Sequence, residues 1–154
     1  MSTIDFPQLR ARNLEGLGVD LPAGFARERN LVVIAFRRDH QRLVDSWVPW
    51  FEEHAAVDPG LRFYEIPTLA RMWAPVRNFI DGGMASAIRE PVILQRIFTV
   101  YGDVNRVTRP LRIDDRSTIA VLLVDGSGQV LWRASGGFTA ALADELEIVL
   151  AGAH

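Results

Sequence analysis

Arg37-Arg38-Asp39-His40 groups the residues of this chain best suited to chemistry. The run follows an apolar stretch, Leu31–Phe36, and precedes a helical recurrence of Leu43, Val44, Trp47, Val48, Phe51 and Ala55. A loop leading from a strand into a helix is a common place for function, and the helix start offers unpaired N–H groups and a positive dipole end. With two guanidinium groups added, such a loop would hold a carboxylate or a phosphate. The plainer alternative leaves Arg37 and Arg38 solvated and has Asp39 cap the helix. Asp39 beside His40 also raises acid–base catalysis. Adjacency in sequence is not hydrogen-bonding geometry, however, and no nucleophile is tied to the pair by a motif. Metal binding has still less support, because the three histidines (His40, His54, His154) show no HxxxH or HExxH spacing. The chain has no cysteine, which excludes disulfides, thiolate nucleophiles and cysteine metal ligands together.

Tryptophan is the other residue type that asks for a reason. Trp47 falls within the apolar stripe of the first helix and is expected in the core with Leu122, whereas Arg38 and His40 are expected at the surface. Trp50 lies at the edge of the stripe, where it either packs inward or anchors a partner, as exposed Trp does at interfaces. Gly82-Gly83-Met84 reads as a helix stop and reversal on the same face. Its glycines do not form a phosphate loop, since neither GxGxxG nor GxxxxGK is present.

These residues need a scaffold, and the composition supplies one. The chain has 154 residues, 49% of them hydrophobic and 23% charged. That length suits one domain burying about 68–70% of the surface of its unfolded chain. A net charge of −2 gives no basic field for nucleic acid. Met1–Gly16 lacks the apolar core of a signal peptide, and no window approaches the ~20 apolar residues of a membrane span. A cytoplasmic location is therefore expected.

Along the chain, residues 1–12 are expected to form a flexible arm and 13–154 a single domain. Asn13–Phe25, with Gly16, Gly18, Pro22 and Gly24, suits an opening hairpin. Leu31–Phe36 is a continuous β-rich run, the mark of a central strand covered on both faces. His40–Ala56 reads as a helix, kinked or delayed by Pro49. Leu61–Ile66 is the next strand, parallel to the first. Pro67 is expected to open a helix carrying Met72, Trp73, Val76, Phe79 and Ile80, and Met84–Gln95 a second, interrupted one. Arg96–Tyr101 is a third strand, and Asp103 a cap for a short helix over Val104–Arg109. Ile119–Val124, the turn Asp125–Gly128 and Gln129–Ala134 form a closing hairpin. Thr139 then caps a final helix with Leu142, Leu146, Val149 and Leu150 buried.

This order resembles the redoxin branch of the thioredoxin superfamily in NLEGLGVDLP, NLVVIAF and STIAVLLVDGSGQVLW. The resemblance implies an α/β, thioredoxin-like fold: a central mixed sheet flanked by helices, with a closing hairpin and a C-terminal helix. Two departures stand out. Where redoxins place the reactive cysteine, this chain has Arg37–Arg42, and where they place a proline before the closing hairpin, it has Ser117-Thr118-Ile119. Within the superfamily, the FRRDH loop, SWVPWF, FYEIPTL, FIDGGM and LLVDGSGQVLWRASG resemble the mitochondrial ATP synthase assembly-factor family and its cysteine-free bacterial relatives. That likeness implies a binding module, one that in the eukaryotic branch assists a membrane-embedded subunit during assembly.

The expected function is thus a non-catalytic, redox-inactive binding or chaperone-like module with a protein partner and no cofactor. Its expected binding face comprises Arg37, Arg38, Asp39, His40, Trp50, Gly82, Gly83 and Met84. Two alternatives stay open: a thiol-independent enzyme using the Arg37–His40 loop, and a homo-oligomeric module, for instance a homodimer.

Overall fold

The computed structural model describes residues 4–13, 18–25, 28–70, 98–102 and 104–152. The helices expected over Met72–Ile80 and Met84–Gln95, and with them Gly82, Gly83 and Met84, lie outside the described residues. So does Asp103.

β4 (Arg29–Ala35) is the centre of the molecule. Leu31, Val32, Val33 and Ile34 are each 0% exposed, so side chains on both faces of this strand are buried. Burial of that kind contributes about 1.5–3 kcal/mol per side chain relative to exposure. β5 (Leu61–Ala70) runs parallel to β4 with Val33 opposite Glu65, and β7 (Ala120–Asp125) lies antiparallel on its other side with Ile34 opposite Ala120. β8 (Gln129–Ser135) returns from β7 across the expected hairpin, and Gly128 takes a left-handed φ of +94° in the turn. β6 (Phe98–Gly102) pairs parallel with β5 and antiparallel with β2 (Leu9–Asn13), and β3 (Gly18–Leu21) closes that side. The sheet order is β1-β8-β7-β4-β5-β6-β2-β3, where β1 is Ile4–Asp5.

The flexible arm expected over residues 1–12 is therefore corrected from Ile4 onward, residues 1–3 lying outside the described residues. Ile4 and Asp5 pair with Val130 and Gln129, Leu9–Asn13 forms a strand, and Phe6, Leu9 and Ala11 are buried. The opening hairpin accordingly starts four residues earlier than the glycine cluster suggests: its strands are Leu9–Asn13 and Gly18–Leu21. Polar residues at Arg10 and Arg12 hide an alternation in which Leu9 and Ala11 face inward.

The two faces of the sheet carry separate cores. Val32, Ile34, Tyr64, Ile66, Leu122 and Val124 meet Phe6, Phe25 and Leu111 on one face. On the other, Leu31, Val33, Leu61, Phe63, Val121 and Leu123 meet the helices through Trp47, Phe51, Leu146 and Leu150. As expected, Trp47 and Leu122 lie in the core, each 0% exposed.

The helix expected over His40–Ala56 is divided. A 3-10 turn (Arg38–His40) leads into α1 (Gln41–Asp45), and α2 (Val48–Ala55) begins after Trp47 with Pro49 in its first turn. Proline is tolerated there because the first helical N–H groups have no partner within the helix. Pro67 does not open a helix. It lies in β5 opposite Ala35, the last residue of β4, and from Thr68 onward β5 pairs with β6 instead. The missing N–H thus falls where the β4 ladder ends.

Val104, not Asp103, precedes the short helix α3 (Asn105–Thr108), with no side-chain cap. The final helix α4 (Ala140–Gly152) is capped as expected, since Thr139 Oγ1 accepts from the Leu142 N–H at 3.1 Å. Among the described residues no helix is long and apolar enough to cross a membrane.

Candidate functional site

The parallel strand β4 delivers Phe36–His40 to one end of the sheet, and the antiparallel β7 begins at that same end. Three chain segments consequently meet there: Arg37–His40, Asp115–Ile119 and Ser135–Phe138. Hydrogen bonds hold them together. Gly136 N–H donates to Ile119 C=O (2.9 Å), the Trp47 indole N–H donates to Gly136 C=O (3.2 Å), and Phe138 N–H donates to Ser46 Oγ (2.9 Å). Gly136 takes a φ of +99° to make the corner, a conformation that favours glycine.

His40 is the fastener. Its Nδ1 accepts from the Phe36 N–H at 3.0 Å, which leaves the ring proton on Nε2, 3.2 Å from the Ser117 carbonyl. The ring is 2% exposed and stands edge-on to Phe36, with centroids 6.4 Å apart. The expectation of a surface His40 is therefore corrected. Both ring nitrogens serve the backbone, so the imidazole is a structural bridge from the β4–α1 loop to the segment leading into β7. It joins the two positions where the sequence departs from redoxins.

Arg37 and Asp39 are exposed, as is Gln41 at the start of α1, while the side chain of Arg38 is not described. Asp39 does not cap α1. The residue before that helix is His40, whose side chain makes no cap. Across the loop, the Asp115 carboxylate accepts from the Ser117 hydroxyl and from the Ser117 N–H. These bonds hold its carboxyl below the ordinary carboxylate range, and the charge of Arg37 adds to the effect.

Trp50 is not on this face. It is 6% exposed, stacks on His54 with centroids 4.0 Å apart, and directs its indole N–H toward Glu147 of α4 at 3.4 Å. His54 lies 2.9 Å from the same carboxylate. Trp50 therefore joins α2 to α4, and its role as an exposed anchor is corrected. Among the described residues, the large apolar residue exposed at this end of the sheet is Phe138, 40% exposed and edge-on to Trp47 at 5.4 Å.

Two further features escape a reading of the sequence run by run. Glu65 lies on the helix-facing side of β5 in line with Leu61 and Phe63. Burial raises its carboxyl from 4.5 to about 7; a hydrogen bond from Gln41 opposes the rise and the charge of Asp45 adds to it. The alternation Leu61, Phe63, Glu65 is the signal that could have found it. The second is Arg112, a non-glycine residue at φ +55° in the loop between α3 and β7. The Arg133 guanidinium donates to the Leu111 and Arg112 carbonyls there, at 2.6 and 3.2 Å. No residue-type pattern announces that conformation. Among the described residues, no cluster of three metal-ligating side chains is present.

No protein-family model and no curated protein sequence matches the chain. Solved structures do. A thiol:disulfide interchange protein from Bacteroides sp. is similar over 96% of this chain and 89% of its own, with 18% identity and a TM-score of 0.61. Yeast Sco1 with copper bound matches over 97% and 94%, at 12% identity and a TM-score of 0.61. BsSco, a member of the Sco family of cytochrome c oxidase assembly proteins, matches over 98% and 94%, at 13% identity and a TM-score of 0.60. At such identities the likeness is one of fold. The chain has a thioredoxin-like fold, a mixed sheet flanked by helices, built without the cysteine that thiol exchange requires.

Proposed function

We propose that the protein is a non-catalytic binding module of the chaperone or assembly-factor kind, holding a protein partner at the loop end of its sheet. The observation that carries this reading is His40. At the loop where this fold commonly presents reactive groups, the imidazole is buried and both its nitrogens are taken by backbone groups. What stays exposed around it is Arg37, Asp39, Asp115 and Phe138, a mixture of charge and one aromatic ring suited to a protein surface. The resemblance to ATP synthase assembly factors supports a membrane-protein subunit as the partner. One fold neighbour also belongs to a family of assembly proteins.

The test is a double Arg37→Ala, Arg38→Ala variant, compared with the intact chain by affinity capture and crosslinking in its native cell. The variant keeps its fold and loses the partner, and raised salt mimics part of the loss, because exposed charges are screened over about 8–10 Å near physiological ionic strength. Retention of every partner at full affinity overturns the reading and favours homo-oligomerisation.

A further inference from the structure

Trp50, His54 and Glu147 meet on the seam between α2 and α4. The His54 ring lies over the Trp50 indole, with centroids 4.0 Å apart and planes 22° from parallel. Its Nδ1 is 2.8 Å from the Trp50 carbonyl oxygen, and its Nε2 is 2.9 Å from Glu147 Oε1. The same carboxylate oxygen faces the Trp50 indole N–H at 3.4 Å.

Both nitrogens of the ring therefore face oxygens, and a carbonyl or carboxylate oxygen only accepts. A neutral imidazole has one N–H and one lone pair, so it bonds one of these oxygens and turns a lone pair on the other. The imidazolium carries a proton on each nitrogen and makes both bonds. His40 is the opposite case: it accepts at one nitrogen and donates at the other, and so makes its bonds as the neutral ring. Two further features favour charge on His54. A cation is attracted to the indole face that it covers, and His54 lies in the last turn of α2, at the negative end of the helix dipole. Among the described residues, Glu147 is the charged group paired with the ring. Glu52 and Glu53 beside it on α2, and Asp144 one turn before Glu147 on α4, are exposed.

We propose that His54 is a proton-operated latch between α2 and α4, closed when its imidazole is protonated and open when it is neutral. On opening, the Nε2 proton passes to water, while Nδ1–H stays on the Trp50 carbonyl within the same helix. Nε2 then turns a lone pair on Glu147, the half-exposed carboxylate swings into solvent, and the Trp50 indole N–H loses the same oxygen. The other end of the seam stays fastened. Trp47 stands edge-on to Trp50 at 6.2 Å and to Phe138 at 5.4 Å, and its indole N–H holds Gly136 C=O. Opening thus loosens α4 around Glu147 and leaves the loop end of the sheet in place, so the latch stands apart from the binding reading above.

The experiment is a double-mutant cycle of His54→Phe, which keeps a ring over Trp50, and Glu147→Ala. Denaturant melts of the full chain are read at about pH 5.5 and about pH 8.5, on either side of the imidazole transition. Glu65 is common to all four proteins, so its titration cancels. The expected coupling raises the folding equilibrium constant about threefold or more at the lower pH, and less than about 1.5-fold at the higher. In the isotope-labelled protein, the Trp50 indole N–H cross-peak shifts between the two pH values, and His54→Phe abolishes that shift.

An absence of coupling at the lower pH, or coupling that does not fall as pH rises, overturns the proposal. So does a Trp50 cross-peak that ignores pH, or one that still follows it in His54→Phe. None of these results bears on partner capture by the Arg37→Ala, Arg38→Ala variant, so the latch and the binding reading fail separately.

Discussion

His40 shows how one side chain redirects a loop. Its imidazole fastens the Phe36 N–H to the Ser117 C=O, which lies 77 positions beyond His40 in sequence. Removing it takes a hydrogen-bond partner from two part-buried backbone groups, about 0.5–1.5 kcal/mol each, and leaves a cavity where the buried ring packs. His40→Ala is therefore expected to destabilise the domain by about 2–4 kcal/mol, comparable with Trp47→Ala, where loss of a buried aromatic costs about 3–5 kcal/mol. Denaturant melts check both, with Arg37→Ala as a surface control that changes stability by less than about 0.5 kcal/mol. A His40→Ala loss as small as that control would show that the bridge does not hold in solution.

Glu65 makes a prediction with a definite sign. Its carboxyl is raised from 4.5 to about 7 in the folded chain, so the unfolded chain ionises first as pH rises. The folded state binds more protons across that window, and stability falls between pH 4.5 and about 7. One pKa unit corresponds to about 1.4 kcal/mol, so the loss is up to about 3 kcal/mol, complete above the folded pKa. Glu65→Gln should flatten this part of the stability–pH profile and raise stability at pH 8. A profile that Glu65→Gln leaves unchanged would place the carboxyl in water.

At the scale of elements, joints between strands and helices carry the specificity. Thr139 caps α4 through the Leu142 N–H, and Ser46 Oγ receives Phe138 N–H just before that cap. Thr139→Ala is expected to cost about 1 kcal/mol, as loss of an N-cap does, read as a lower denaturation midpoint with an unchanged slope. These joints also divide what was legible in the sequence from what was not. β4 was legible because Leu31–Phe36 is apolar without interruption, and α4 because Thr139 precedes a clear periodic stripe. Pro67 misled because proline is a plain helix-start signal, and only the end of the β4 ladder at Ala35 makes it acceptable in a strand. Leu9–Asn13 was hidden because its alternation is short and its partners, β3 and β6, are supplied by other parts of the chain.

At the scale of the whole molecule, the thioredoxin-like architecture was legible and the candidate site only partly so. Trp50 read as an anchor because the stripe of α2 alone leaves it at the edge; Glu147 and His54, brought together by the packing of α2 on α4, cover it. His40 read as exposed for the same reason, since its partner Ser117 is remote in sequence. Chemistry at this scale is bounded by composition: with no cysteine there is no thiolate, and metal-free protein is expected to show insulin reduction and hydroperoxide turnover no higher than buffer. Turnover above that control would contradict the bound.

The claim that the loop end of the sheet is a binding face is tested most directly by photocrosslinking in the native cell. A photoreactive residue is placed in turn at Arg37, Asp115, Val57 and Ile148, the last two being apolar residues 83% and 73% exposed elsewhere on the surface. The account predicts a discrete partner adduct from positions 37 and 115, weakened when salt is raised, and none from 57 or 148. Adducts from 57 or 148 with none from 37 or 115 would contradict it.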